Sequence, residues 1–336
     1  MKGLSELILL AKAVVALFVL SLILFFTAFL LHTHPDFFNS KNKSTVAEEK
    51  KIQLWQAPDL ASVPDEGEGK LIHYGHELIT HTSSFIGPNG SLSLKANGMN
   101  CQNCHLNAGT KPYGNNFGSV ASTYPKFRTR SGQIEGIEKR VNDCIMRSLN
   151  GDPFDSVSHE MRAIVAYISW LGKDVPKGKQ AAGSGMHELK WMDRPANIKT
   201  GKKLYLQKCQ ICHGYSGEGQ KLTEKSNYLY PPVNGDHSFS TAAGLNRISN
   251  FAKYIYANMP YGATFEKPAL SEEQSWDIAA YVLSLPRPKI DFKKDWPVLK
   301  SKPLDHPFGP YADSFSDEQH RVGPFAPIEK FYKETK

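Results

Sequence analysis

The sequence predicts a mainly α chain: two small helical domains of matching plan, behind an apolar N-terminal helix and ahead of an irregular C-terminal extension. Three observations predict it. A Cys-x-x-Cys-His run occurs twice, at Cys101-Gln102-Asn103-Cys104-His105 and Cys209-Gln210-Ile211-Cys212-His213. Each run has a helical pattern before it and an amphipathic helix well after it. Residues 13–31 form an uncharged apolar run, long enough to cross ~30 Å of hydrocarbon as a helix.

Taken in order, residues 1–32 read as a membrane anchor, with Lys2 and Lys12 before the apolar run keeping the N-terminus on the cytoplasmic side. A cleaved signal peptide is the competing reading, but no small-x-small site follows the run. Residues 33–66 are polar and mixed in charge and read as a linker, with His32 and His34 as solvated residues near its start. Residues 67–176 form the first domain. Its opening helix is expected over 71–86, from Leu71, Tyr74, Leu78 and Ile79. A second is expected over 134–149, from Ile134, Ile137, Val141, Ile145 and Leu149, closed by Asn150-Gly151. The domain ends on an amphipathic helix over 157–171 that carries Val157, Met161, Ile164, Val165, Ile168 and Leu171 and stops at Gly172.

Residues 177–194 read as a second linker, and 195–290 as the second domain. A helix around 196–211 runs into the second cysteine motif, and another covers 248–257. The closing helix spans 271–285, where Ser271 and Gln274 have capping-box spacing and Pro286 and Pro288 stop the helix. The extension, 291–336, is rich in proline and aromatic residues (Phe292, Trp296, Phe308, Tyr311, Phe315, Phe325). It is too aromatic for ordinary disorder and is expected to wrap the domains without regular structure.

The paired motifs carry the chemistry. Two cysteines at this spacing attach to the vinyl groups of a haem, and the next residue offers an imidazole to the iron. A zinc knuckle would need further Cys or His at matching spacing. The reading is two covalently bound haem c groups, attached at Cys101, Cys104, Cys209 and Cys212 and ligated by His105 and His213. Each sits in a class I cytochrome c-like domain. Met259, in Asn258-Met259-Pro260 before the closing helix, stands where such domains place a sixth ligand. Covalent haem chemistry points to the periplasmic side of an inner membrane. The formal charge of +7 leaves out the haem propionates. It suggests anionic substrates or acidic partners and carries no case for nucleic acid.

Four of the five cysteines are thus committed, and Cys144 is left over. It falls where the first haem needs its sixth ligand, with Met146 as an alternative and Met161 as a core residue. On a helix over 134–149, Arg140, Cys144 and Ser148 lie four apart and share a face. Arg140 and Arg147 flank the thiol and favour its thiolate, and Arg128 and Arg130 lie upstream. The bland alternative is a buried free cysteine.

Over roughly residues 70–330 the sequence closely resembles the dihaem thiosulfate dehydrogenase family, whose members also act as tetrathionate reductases. The resemblance rests on Asn100-Cys101-Gln102-Asn103-Cys104-His105-Leu106, Tyr124-Pro125, Lys139-Arg140, Asn142-Asp143-Cys144, Arg147-Ser148-Leu149-Asn150-Gly151, Asn258-Met259-Pro260 and His320-Arg321-Val322-Gly323-Pro324-Phe325. It implies that Cys144 is the distal ligand of the catalytic haem. It also implies that Arg130, Arg140 and Ser148 line the substrate pocket, and that Met259 ligates the electron-transfer haem. Some members carry Lys where this chain has Asn258. The implied reaction joins two thiosulfates into tetrathionate with release of two electrons, or the reverse. A small cytochrome c or a quinol-linked complex would be the redox partner. The rival class is a membrane-anchored dihaem electron carrier feeding a terminal oxidase, which would need Met opposite His105.

Overall fold

The computed structural model describes residues 2–33, 53–223, 227–290 and 293–335. The linker residues 34–52, with His34, and Phe292 of the extension lie outside the described residues. The chain forms two compact units, residues 1–52 and 53–336. In the first, helix α1 runs from Lys2 to Thr33, and its span Leu10–Leu30 is long and apolar enough to cross a membrane. His32, read as a linker residue, stands on the last turn of this helix.

The second unit holds two helical halves of one plan. In the first half, α2 (Glu68–Thr80) and α3 (Thr82–Ile86) precede the first cysteine motif. The short turns α4 (Leu106–Gly109) and α5 (Val120–Thr123) follow, then the antiparallel hairpin β1 (Lys126–Arg128) and β2 (Gln133–Glu135). Helices α6 (Ile137–Ser148) and α7 (His159–Leu171) complete it. In the second half, α8 (Ile198–Lys208) leads into the turn α9 (Gln210–His213) and the small hairpin β3 (Gln220–Lys221) and β4 (Tyr228–Tyr230). Helices α10 (Ile248–Asn258) and α11 (Glu272–Ser284) close it.

Each half is pinned by a glycine where its first and last helices cross. A Cβ on Gly75 of α2 would lie 2.0 Å from the Ala163 carbonyl oxygen of α7. A Cβ on Gly201 of α8 would lie 1.9 Å from the Asp277 carbonyl oxygen of α11. Only glycine lets the backbones approach so closely. The apolar faces then bury Ile72, Leu78, Ile79, Ile164, Ile168 and Leu171 in one half and Tyr205, Trp276, Ile278 and Val282 in the other. The expected capping box is present: Ser271 accepts from the Gln274 N–H, and Gln274 accepts from the Ser271 N–H.

Four expectations about elements need correction. Ile134 is on β2, not on a helix, and its side chain is 74% exposed. Pairing of Phe127 with Ile134 and the extended Gly136 delay the helix start to Ile137. Val157 lies outside α7, because Ser158 accepts from the Met161 N–H and sets the helix N-terminus there. The helix expected over 196–211 stops at Lys208, and the motif forms its own turn. The extension is not devoid of regular structure. It contains α12 (Asp317–Val322), capped by Ser316, and α13 (Ala326–Glu334), which begins with proline in its first turn. Phe325 packs against Trp191 and Trp276, and Ile328 is buried in the same core. Asp305, fully buried, binds Arg247 and Ser249 at the start of α10.

Candidate functional site

Each cysteine motif opens onto a cavity of about 290 Å³. The first is walled by Cys101, Cys104, His105, Arg140, Cys144 and Ser148, with apolar side chains from α2, α3, α6 and α7. The second is walled by Cys209, Cys212, His213 and Met259, with Phe251, Ile255 and Ile278. In both, the histidine is oriented by a backbone carbonyl. His105 Nδ1 lies 2.6 Å from the Asn115 carbonyl oxygen, and His213 Nδ1 lies 2.8 Å from that of Pro231. A carbonyl only accepts, so Nδ1 donates and Nε2 keeps its lone pair for a metal. Two thiols, a free imidazole nitrogen and a sulfur in the same wall are the donor set of a c-type haem. The largely apolar walls suit its macrocycle.

The sulfur differs between the cavities. Met259 ends α10, with its N–H donating to the Ile255 carbonyl at 2.8 Å. Asn258 before it is buried and donates to the Tyr113 and Tyr254 carbonyls. In the first cavity the sulfur is Cys144, in the same wall as His105. Met146 is not in the cavity wall. Met186 is, but it follows Gly185, whose carbonyl takes the Asn115 N–H, so it enters on the side of His105's own support.

Electrostatics separate Cys144 from the motif thiols. Burial pushes Cys101 to about 11, Cys104 to about 12 and Cys209 to about 11. Burial also opposes a charged Cys144, but Arg140 and then the neighbouring His105 outweigh it and bring the thiol down to about 7. The Cys144 charge in turn raises the pKa of Arg140. Arg140 makes no side-chain hydrogen bond or ion pair among the described residues, so its fork of donors is open to the cavity. Tyr124, not singled out as a site residue from sequence, borders the same cavity and feels both Arg140 and Cys144.

The other arginines of the neighbourhood are occupied. Arg147 is buried and bound at both Nη atoms by Asp295, at 2.5 and 2.8 Å. It does not flank the thiol as the spacing suggested. Lys139 binds Asp143 on the same helix, at 2.5 Å. Arg130 lines a neighbouring cleft. It donates to the Ala242 carbonyl at 3.2 Å, lies 3.9 Å from Asp295 and packs over Trp296. Burial first, then the charges of Arg147 and Arg140, lower its pKa to about 10. Arg140, Cys144 and Ser148 therefore share one cavity, with Arg130 beside it.

The two cavities share a wall. Cys104 and Leu245 line both, and the Tyr254 hydroxyl donates to the Asn103 carbonyl at 2.9 Å. Leu245 and Tyr254 carry no motif signal. Their role comes from docking one half on the other.

Comparison with known proteins agrees with this architecture. Residues 93–176 match the family model described as SoxA/TsdA, cytochrome c domain. Residues 196–282 match the model described as cytochrome C oxidase, cbb3-type, subunit III. The chain is 39% identical to a thiosulfate dehydrogenase from Psychrobacter arcticus, over 71% of each chain. It is 34% identical to one from Allochromatium vinosum, over 72% of this chain and 87% of the relative. Among solved structures, thiosulfate dehydrogenase (TsdBA) from Marichromatium purpuratum in its as-isolated form aligns with a TM-score of 0.64 at 26% identity. That alignment covers 70% of this chain and spans half the length of the other.

Proposed function

The chain belongs to the thiosulfate dehydrogenase family, and from that premise we propose that it is a dihaem cytochrome c enzyme interconverting thiosulfate and tetrathionate. Two thiosulfates give one tetrathionate and two electrons, and the reverse reaction consumes them. One observation carries the reading: an open guanidinium, Arg140, beside a thiol lowered to about 7, Cys144, in the cavity that also holds His105.

Cys101 and Cys104 would hold one haem with His105 and Cys144 as ligands, and Cys209 and Cys212 the other with His213 and Met259. When bound, the haems supply one-electron redox centres that connect the sulfur chemistry to an outside acceptor, a small cytochrome c or a quinol-linked complex. The chain's own residues do the rest. Thiosulfate is a dianion, and joining two of them brings like charges together. Arg140, with the nearby charge of Arg130, offsets that repulsion. Ser148, one turn past Cys144, offers a hydroxyl to a sulfonate oxygen.

Cys144 as a thiolate can bond the outer sulfur of thiosulfate, giving Cys–S–S–SO₃⁻ with loss of two electrons. A second thiosulfate then attacks that outer sulfur, releases tetrathionate and restores the thiolate. Helix α1 would anchor the enzyme to the inner membrane with both cytochrome c domains in the periplasm.

The test is a steady-state assay in both directions on purified holoprotein, beside Cys144→Ala with both haems confirmed by mass. Wild type should turn over, and the variant should lose at least 10²-fold, on the order of nucleophile loss elsewhere. Full activity in a loaded Cys144→Ala would end the proposal. An electron carrier would instead show no tetrathionate formation by the wild type.

A further inference from the structure

The wall of the first cavity carries a buried phenol whose hydroxyl has no partner among the described residues. Tyr124 follows α5 and is 6% exposed, in the wall that also holds Arg140, Cys144 and Ser148. Its backbone is fixed at both ends. The N–H donates to the Val120 carbonyl at 3.0 Å, and the carbonyl accepts from Lys177 Nζ. Lys126 Nζ lies over the ring, 4.8 Å from its centre. Thr82, another hydroxyl of this wall, is taken by the Leu78 carbonyl at 2.7 Å. The Tyr124 hydroxyl is not taken in this way. Nor is it sealed off like the unpartnered indole N–H groups of Trp276 and Trp296, and it stays open to the cavity.

A phenylalanine would serve if the ring were there only to pack. A hydroxyl buried without an acceptor costs free energy, so the acceptor has to come from the cavity. The groups whose charge reaches the phenol are Arg140, Arg128, Glu135 and Cys144, which places it at the Arg140 end of the wall. Burial is the largest influence and holds its pKa above the ordinary phenol value, against the pull of Arg140 and Arg128. The oxygen therefore keeps its proton at neutral pH and can donate. We propose that the Tyr124 hydroxyl donates to a sulfonate oxygen of the thiosulfate or tetrathionate held by Arg140. The guanidinium fork takes two oxygens of a sulfonate, and Tyr124 supplies a donor for the third. That donor is in place before substrate arrives. The inference rests on the sulfur chemistry proposed for this cavity.

The test uses holoprotein and Tyr124→Phe, which keeps the ring and removes the hydroxyl. The probe is ethane-1,2-disulfonate, in which two methylenes replace the central sulfurs of tetrathionate and leave no sulfur bond to attack. Its Kd is read by calorimetry. Loss of one hydrogen bond to a charged oxygen should weaken binding about tenfold, with the electron paramagnetic resonance signal of the His105-bound iron unchanged. Thiosulfate oxidation should lose a similar factor in kcat/KM. A packing role alone would lower the melting temperature and leave the Kd in place. A Kd within twofold of wild type would overturn the proposal, and so would weaker binding accompanied by a changed iron ligand. Should Tyr124→Phe not load haem, Tyr124→Met removes the same donor and is judged by the same Kd. Wild type that binds the disulfonate without turning over thiosulfate or tetrathionate would end the proposed activity and leave the hydroxyl to be judged by the Kd comparison. Wild type that binds no disulfonate would overturn the assignment itself.

Discussion

Arg140→Leu is the sharpest test of the proposed chemistry, because it removes one charge and little volume from the cavity wall. Arg140 sits one turn before Cys144 on α6, with no side-chain hydrogen bond or ion pair among the described residues, the charges of Asp143 and Glu135 acting on it only from a distance. Two unit charges ~4 Å apart at an effective dielectric of about 20 interact by about 4 kcal/mol. Part of this is offset by the substrate's lost hydration, so a net loss of about 3 kcal/mol is expected, in the range measured for single oxyanion donors. At 1.36 kcal/mol per tenfold, that is roughly 10²-fold in kcat/KM. Arg140→Lys keeps the charge and loses the fork, and should fall only about tenfold. The assay is steady-state oxidation of thiosulfate and reduction of tetrathionate, with electron paramagnetic resonance on each variant to check the iron ligand opposite His105. Arg140→Leu within threefold of wild type in both directions, with ligation intact, would refute the role given to this guanidinium.

Three further outcomes are expected. On the proposed ligation, Met259→His should replace the thioether by a more basic ligand and lower the potential of the proposed second haem, seen in redox titration and as loss of the methionine–iron absorbance band. Gly201→Val places a side chain where a Cβ would lie 1.9 Å from the Asp277 carbonyl oxygen. The α8–α11 crossing must open at a cost of about 3 kcal/mol or more, so thermal melting should fall by several degrees. Asp305→Asn leaves Arg247 without its carboxylate and should cost about 3 kcal/mol at neutral pH. Burial alone would raise the Asp305 pKa, but Arg247 and Ser249 hold it below the ordinary value. Its contribution is therefore full above the unfolded carboxylate pKa of about 4 and is lost as pH falls through the lower folded value. Denaturation curves of wild type and variant should converge in acid. A gap that stayed constant down to that range would show that Asp305 is not held as the charged form.

The legible parts of this chain are those whose cause is local. Helices α7 and α11 announce themselves because apolar residues recur on one face, and at α11 a capping serine also stands at the start. The two cysteine motifs are local as well: the two thiols and the imidazole of each lie within five residues. Ile134 misleads because it keeps helical spacing with Ile137 and Val141, while its conformation is set by Phe127 across a hairpin. The tail misleads in the opposite sense. Its prolines hide α12 and α13, whose packing depends on Trp191 and Trp276, residues far away in sequence.

The arginines of the candidate site teach the same lesson with consequences for chemistry. Spacing on α6 brings Arg140 and Arg147 equally near Cys144. Asp295, 148 residues beyond Arg147, breaks that symmetry. It takes Arg147 by both Nη atoms and lies 3.9 Å from Arg130. A guanidinium bound in this way has fewer donors to turn toward a second anion. Arg140 is out of reach of that carboxylate's hydrogen bonds and keeps its donors open beside the thiol. The aspartate on the extension thus sorts the cations into those that hold the fold and one that faces the cavity, and no rule confined to the helix could have made that distinction.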